Sequence, residues 1–279
     1  MSISGVAALF SGKPKHGIGS DGRMAISDHL RELRARILKV TVMLLIALTV
    51  ALFYFDEIFT LIEGPYLDAQ KALPDDVSSQ ATVQGAGGPL MLHLKLCGLA
   101  AVVVTSPYWL YQIWAFILPG LHSHERKWSR VFGAIAGPLF LLGAWIGYLT
   151  LPKGLEILIS FTPGNLTNLI EFGDYLTFLT RTLLVFGIAF EIPVFVVLLN
   201  LAGVLTGKAI GDHRPWVVIG TFLFAAIATP STDPFSMLFL AVPMVVLFAI
   251  SEVICRLLDR RRRKADPTAG VADDELSPL

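Results

Sequence analysis

Six stretches of this chain lose nearly all their charges, and between them the charges return with alternating sign. A helix needs about 20 apolar residues to cross roughly 30 Å of hydrocarbon. The stretches at 37–55, 90–114, 131–151, 176–201, 216–228 and 235–251 are read as six such helices. The fifth is short: at 1.5 Å per residue it covers only about 20 Å. A helix of that length thins the bilayer or shelters among its neighbours. Pro107, Pro138, Pro193 and Pro243 fall inside spans. Each removes a ladder hydrogen bond, so kinks are expected there.

The flanks read differently. Residues 1–23 are rich in Gly, Ser and Lys without apolar periodicity, and a disordered extension is expected. Met24 offers a second candidate start. From Ser27 to Lys39 a helix is predicted, with Ser27 or Asp28 at its N-cap and Leu30, Leu33 and Ile37 on one face. Such a segment is expected to lie in the membrane interface before the first span turns inward. The first apolar run exceeds a signal-peptide core and is followed by Asp56 and Glu57, so it reads as an anchor. The body of the fold is placed at 24–256, and 257–279 is expected to be a disordered tail, basic and then acidic.

Charge sets the orientation. Lys13, Lys15, Arg23, Arg31, Arg34, Arg36 and Lys39 precede the first span. Arg126, Lys127 and Arg130 follow the second, Lys208 and Arg214 follow the fourth, and Arg256 with Arg260 to Lys264 follows the sixth. The alternate loops hold only Lys71 and Lys153 as cations and carry Asp56, Glu57, Glu63, Asp68, Asp75, Asp76, Glu156, Glu171, Asp174 and Asp233. Lys and Arg stay on the cytoplasmic side. Both termini are therefore expected in the cytoplasm, with the chain in the inner membrane.

Composition agrees. Of 279 residues 54% are hydrophobic and 16% charged, against about 25% charged in soluble domains. Mean hydropathy is +0.66. A soluble protein this apolar would aggregate. Cys97 and Cys255 lie in or beside apolar runs and read as buried small residues. No nucleophile motif, zinc motif or phosphate loop is present, so no catalytic residue, metal ligand or cofactor is assigned. The basic run after the sixth span reads as a topology anchor touching anionic lipid, not as a nucleic-acid patch.

Three acids stand out. Glu191 lies within the fourth span, where an ionised carboxylate costs about 2.5–3.5 kcal/mol. It is either a functional polar site in the membrane or a protonated acid bonded to a neighbouring helix. Arg181, ten residues earlier, does not share its helix face and reads as a snorkelling cation. Glu32 and Glu125 are acids among basic residues. On physical grounds alone Glu32 reads as the i,i+4 partner of Arg36. Glu125 reads as an acid in the first turn of a helix capped by Ser123.

At these residues the chain resembles a known family. HLRELRARI (His29 to Ile37), PYWLYQIWAFILPGLHSHER (Pro107 to Arg126), FGIAFEIPVFVVLL (Phe186 to Leu199) and ATPSTDPFSMLFLAVPM (Ala228 to Met244) are similar, in order, to the motifs of TatC. TatC is the multispanning receptor of the twin-arginine protein translocase. The resemblance covers about Met24 to Arg256. It implies an all-α membrane fold of six helices shaped as a cup, with short fifth and sixth helices. It implies that Glu32 and Glu125 bind the twin-arginine signal peptides of folded export substrates. It also implies that Glu191 is an intramembrane polar contact for a partner, and that Pro65 belongs to an exterior cap. The partners it implies are single-span proteins of the TatA and TatB type and further copies of the chain, with transport driven by the proton-motive force. The sequence departs from the family at PSTDPFS after Thr229, and no role is carried over to Asp233. Two other readings are weighed. One is a proton-coupled transporter using Glu191, which predicts an internal repeat that the sequence lacks. The other is a structural membrane scaffold, indifferent to Glu32 and Glu125.

Overall fold

The computed structural model describes residues 26–73, 78–117, 126–163, 166–228 and 234–265. The extension expected at 1–23 and the end of the expected tail, 266–279, lie outside the described residues. Helix α1 runs unbroken over Ile26–Phe53. The expected interfacial helix at 27–39 is thus nearly the first half of α1 and does not turn separately: no proline or glycine interrupts the run. Its 28 residues cover about 42 Å, the full thickness of a bilayer with its headgroups. Val42, Leu45, Ile46, Val50 and Leu52 are exposed along it, as lipid-facing residues must be.

After Tyr54 the chain enters α2 (Phe55–Lys71), which the hydropathy pattern did not separate from the first outer loop. Pro65 lies inside α2 and is fully buried. Lacking an N–H, it cannot bond the carbonyl four residues back. That carbonyl, Leu61, accepts instead from the Tyr148 hydroxyl at 2.7 Å. The next one, Ile62, accepts from the buried Tyr175 hydroxyl. The proline thus frees Leu61 O for Tyr148, and the Tyr175 bond, independent of the proline, ties α2 to a second span.

The second span is α3 (Gly88–Val104) plus α4 (Ser106–Ile117), bent by 56° at Thr105. Pro107 causes the break, and the exposed helix end is satisfied locally. The Trp109 indole donates to Val102 O at 2.9 Å, and Thr105 Oγ1 donates to Ala101 O at 2.7 Å. Helix α5 (Arg126–Ser160) stays continuous through Pro138 and Pro152. It is the axis of the core, packed on α2, α4 and α6. Four of its five glycines, Gly133 with Gly137 and Gly143 with Gly147, form two pairs four apart. A Cβ at Gly133 or Gly137 would strike Tyr111 or Pro107 of α4, at 2.6 Å each. At Gly143 it would meet Phe186 O of α6 at 2.6 Å. Small residues at this spacing let membrane helices approach closely.

The fourth span is α6 (Phe172–Ala189) and α7 (Ile192–Leu201), interrupted at Phe190 and Glu191 just before Pro193. Short helix α8 (Gly207–Asp212) leads to α9 (Arg214–Ala228), an apolar helix of only 15 residues. The last helix, α10 (Pro234–Ala265), has 32 residues and passes through Pro243 unbroken. It is long and apolar enough to span over Met237–Arg262, which corrects the expectation of a short sixth helix. Residues 257–265, expected to be a disordered tail, are its final turns. They are held because Asp259 accepts from Gly207 N (2.6 Å) and Asn200 Nδ2 (2.9 Å), while Arg262 donates to Asn200 O (3.0 Å) and Leu201 O (2.7 Å).

Two five-residue strands depart from a purely helical fold. β1 (Ser78–Thr82) pairs in parallel with β2 (Thr167–Glu171), joining the segments that precede α3 and α6. The architecture is an all-α integral membrane fold. Four described helices are long and apolar enough to span, and the bent pair α3–α4 makes up to five.

Candidate functional site

The opening motif places its charges at the start of α1, where α4 ends. Arg36 is the hub. Its Nε and Nη2 donate to Glu32 Oε1 at 2.9 and 2.5 Å. Its Nη1 donates to Gln112 Oε1 at 3.0 Å, and its Nη2 also to Ala115 O at 3.0 Å. The i,i+4 pair expected on physical grounds is therefore present, and it is more than a surface pair. The Glu32 and Arg36 side chains keep only 17% and 20% exposure, so solvent screens the pair less than it would an exposed one. The second oxygen of Glu32 makes no hydrogen bond to a described residue.

The neighbours fix this corner. Asp28 is buried beside Arg31 at 3.7 Å, and His29 stacks on Phe116 with centroids 4.4 Å apart. An apolar groove of ≈580 Å³ adjoins Arg36, with walls that include Leu33, Ile37, Val40, Trp109, Ile113 and Phe116. Glu125, Ser123 and Asp233 lie outside the described residues.

Glu191 sits at the α6–α7 break, where it caps α7 without a side-chain bond. Both carboxylate oxygens are shielded, and neither has a hydrogen-bond partner among the described residues. The Trp114 indole lies beside it without closing a hydrogen bond. Trp114 packs against Phe132 and Phe195, with centroids 6.3 and 6.4 Å away. One turn of α4 thus serves both acids: Gln112 and Ala115 hold Arg36, and Trp114 faces Glu191. Pro65 is remote from both in sequence and acts within α2, as described above.

Sequence reasoning missed a fourth acid. Glu252 is 3% exposed. It accepts from Arg214 Nε and Nη2 at 2.6 Å each, and from Arg256 Nη2 at 2.7 Å. The i,i+4 spacing of Glu252 and Arg256 was a readable signal; the Arg214 contact, across 38 residues, was not. No group of three His, Cys, Asp or Glu residues among those described could hold a metal ion. The site chemistry available is charge and hydrogen-bond recognition: a fixed carboxylate beside an apolar groove, and an unpartnered acid inside the membrane.

Comparison with known proteins follows the same lines. The family model described as "Sec-independent protein translocase protein (TatC)" matches residues 28–243. The Sec-independent protein translocase protein TatC of Frankia casuarinae is 41% identical over 269 residues, covering 93% of this chain and 74% of that one. That of Corynebacterium kroppenstedtii is 36% identical, covering 93% of this chain and 68% of its own. A crystal structure of the twin arginine translocase receptor TatC superposes with a TM-score of 0.68 at 30% identity, covering 83% of this chain and 100% of that chain.

Proposed function

The chain belongs to the TatC family, and from that premise we propose that Glu32 and Glu125 are the carboxylates with which it reads twin-arginine signal peptides. It is a multi-pass inner-membrane protein, the receptor subunit of Sec-independent protein translocation, and not an enzyme. The transporter and scaffold readings fall away with that membership. Membership also implies interaction with TatA, TatB and signal peptides.

The observation that carries the peptide-binding reading is the geometry at Glu32. One oxygen is saturated by Arg36 while the other makes no hydrogen bond to a described residue, beside an apolar groove. Guanidinium presents a planar fork that carboxylates take bidentately, and lysine does not. Charge-assisted bonds contribute about 1.5–3 kcal/mol each. Two separated carboxylates therefore distinguish two arginines from one, and the surrounding cations repel generic basic peptides.

The finer topology follows the charge pattern: six spans, with α9 as the fifth, and both termini cytoplasmic. Prolines shape the six helices into a cup, and Pro65 braces its outer rim. The membrane body covers 24–256, between an N-terminal extension and a C-terminal tail. Glu191, unpartnered in the membrane, offers a hydrogen bond to a single-span partner of the TatA or TatB type. Such bonds contribute about 0.6–2 kcal/mol in a bilayer. Further copies of the chain join the complex.

The test is binding of a labelled twin-arginine peptide to the detergent-purified protein. Glu32→Gln and Glu125→Gln should each weaken binding, and a twin-lysine peptide should bind poorly to the parent. Unchanged binding in both variants would make the two acids structural.

A further inference from the structure

Two cations in the second and fourth spans lie outside the site described above. Lys95 of α3 and Arg181 of α6 are both exposed, and neither forms an ion pair with a described residue. They line one groove of ≈430 Å³ between these helices, with Leu99, Val102, Leu176 and Leu184 as apolar wall and no acid in the lining. Thr180 also faces the groove, and its hydroxyl makes no hydrogen bond to a described residue.

Their depths agree. Lys95 is seven residues from the start of α3 and Arg181 nine from the start of α6. At 1.5 Å per residue their Cα atoms lie about 10 and 14 Å from the helix ends that carry the two-stranded sheet. The fourth span is 30 residues long, about 45 Å, which matches a bilayer including its headgroups. Both Cα atoms then sit only a few ångströms below the headgroup boundary, within reach of the phosphates for long cationic side chains. Simple snorkelling would leave them indifferent to lipid type. Here, however, two cations converge on one apolar cleft. Its floor is open at Gly98, where an added Cβ would meet nothing within 4 Å.

We propose that this groove is a binding site for one anionic phospholipid, from the leaflet at the sheet end of the molecule. Its phosphate lies between Lys95 and Arg181, with Thr180 as a further donor. One acyl chain runs along the cleft over Gly98. The two positive charges and the missing acid favour an anionic headgroup over a zwitterionic one. Its apolar wall of Leu99, Val102, Leu176 and Leu184 suits an acyl chain.

The experiment is native mass spectrometry of the delipidated full chain, titrated with dioleoyl phosphatidylglycerol or dioleoyl phosphatidylcholine. Arg260, Arg261 and Arg263 are changed to Gln in every sample to silence the basic run. The parent should bind one phosphatidylglycerol in preference to phosphatidylcholine. Lys95→Gln with Arg181→Gln should weaken that binding roughly tenfold. The charge-preserving swap Lys95→Arg with Arg181→Lys should retain it, which also covers the case that the double Gln variant does not fold. Gly98→Leu, whose Cβ meets nothing within 4 Å and whose side chain extends into the cleft, should weaken it while leaving the melting temperature unchanged. The proposal is overturned if the double variant binds like the parent, if the two lipids bind equally, or if Gly98→Leu has no effect. Displacement by millimolar inorganic phosphate would also overturn it, since the site would then be one for free anion. So would variants that keep lipid binding but lose co-purification with a TatA- or TatB-type protein, because the groove would then seat a helix.

Discussion

Pro65 leaves the Leu61 carbonyl without its backbone donor, and Tyr148 replaces that donor from another helix. Tyr148→Phe removes only the hydroxyl. The net loss for one hydrogen bond is about 0.5–1.5 kcal/mol. No N–H is available to take over, which pushes the cost up. Tyr148 is only partly buried, so water can substitute, which pulls it down. We expect about 1 kcal/mol. In a Pro65→Ala background the cost should nearly vanish, because that substitution brings back an N–H aimed at Leu61. Pro65→Ala carries its own loss of buried ring contact, but that cancels in a double-mutant cycle. The coupling should therefore be about 1 kcal/mol, with the double variant more stable than additivity predicts. Tyr175→Phe is the control: its hydroxyl serves Ile62, which residue 65 does not address, so Pro65→Ala should give it no rescue. The assay is equilibrium unfolding by sodium dodecyl sulfate in mixed micelles, followed by circular dichroism on each single and double variant. Additivity of Pro65→Ala and Tyr148→Phe within about 0.3 kcal/mol would refute the idea that the tyrosine stands in for the missing donor.

Other perturbations separate packing from function. Gly187→Ala should destabilise by about 1–3 kcal/mol, since its Cβ would lie 2.6 Å from the Phe140 ring. Gly98→Ala, in open space, should stay within about 0.5 kcal/mol in the same unfolding assay. Glu191→Leu should raise the stability of the isolated protein, because an unpartnered carboxylate is costly in the membrane. It should also lower export of a twin-arginine reporter, and a variant that is both less stable and fully active would contradict this. Arg36→Lys keeps the charge but cannot bridge Glu32, Gln112 and Ala115 together. Twin-arginine peptide binding should fall roughly tenfold, and isothermal titration showing no change would remove Arg36 from the positioning of Glu32.

Four spans, and the bent pair as a fifth, were legible because lipid imposes one demand on length and polarity, and Pro107 marked the break at Thr105 within two residues. What hydropathy could not see was helix outside the apolar runs. Ser27–Lys39 and Leu257–Ala265 are polar, and they are helical because they extend helices already nucleated in apolar runs. The parallel pairing of β1 with β2 is non-local, and SSQAT carries no apolar alternation to announce it. The glycine pairs of α5 were present in the sequence but gained meaning only with their partners, Tyr111, Pro107 and Phe186. At the site, Glu32 and its Arg36 partner could be read from i,i+4 spacing. Gln112 and Ala115 could not, because they come from α4, 76 and 79 residues away.

The pairing of β1 with β2 also bears on how the chain is made. Ser78 waits for Thr167, 89 positions downstream. At ribosomal speeds of about 5–20 residues per second, that interval lasts roughly 4–18 s. Throughout it the first strand is an open edge with no partner of its own chain, and the second and third spans must insert before it can be closed. Completion of the two-stranded sheet is thus a late, timed event in biogenesis. A nascent chain paused between the third and fourth spans would expose that edge to whatever neighbours it in the membrane.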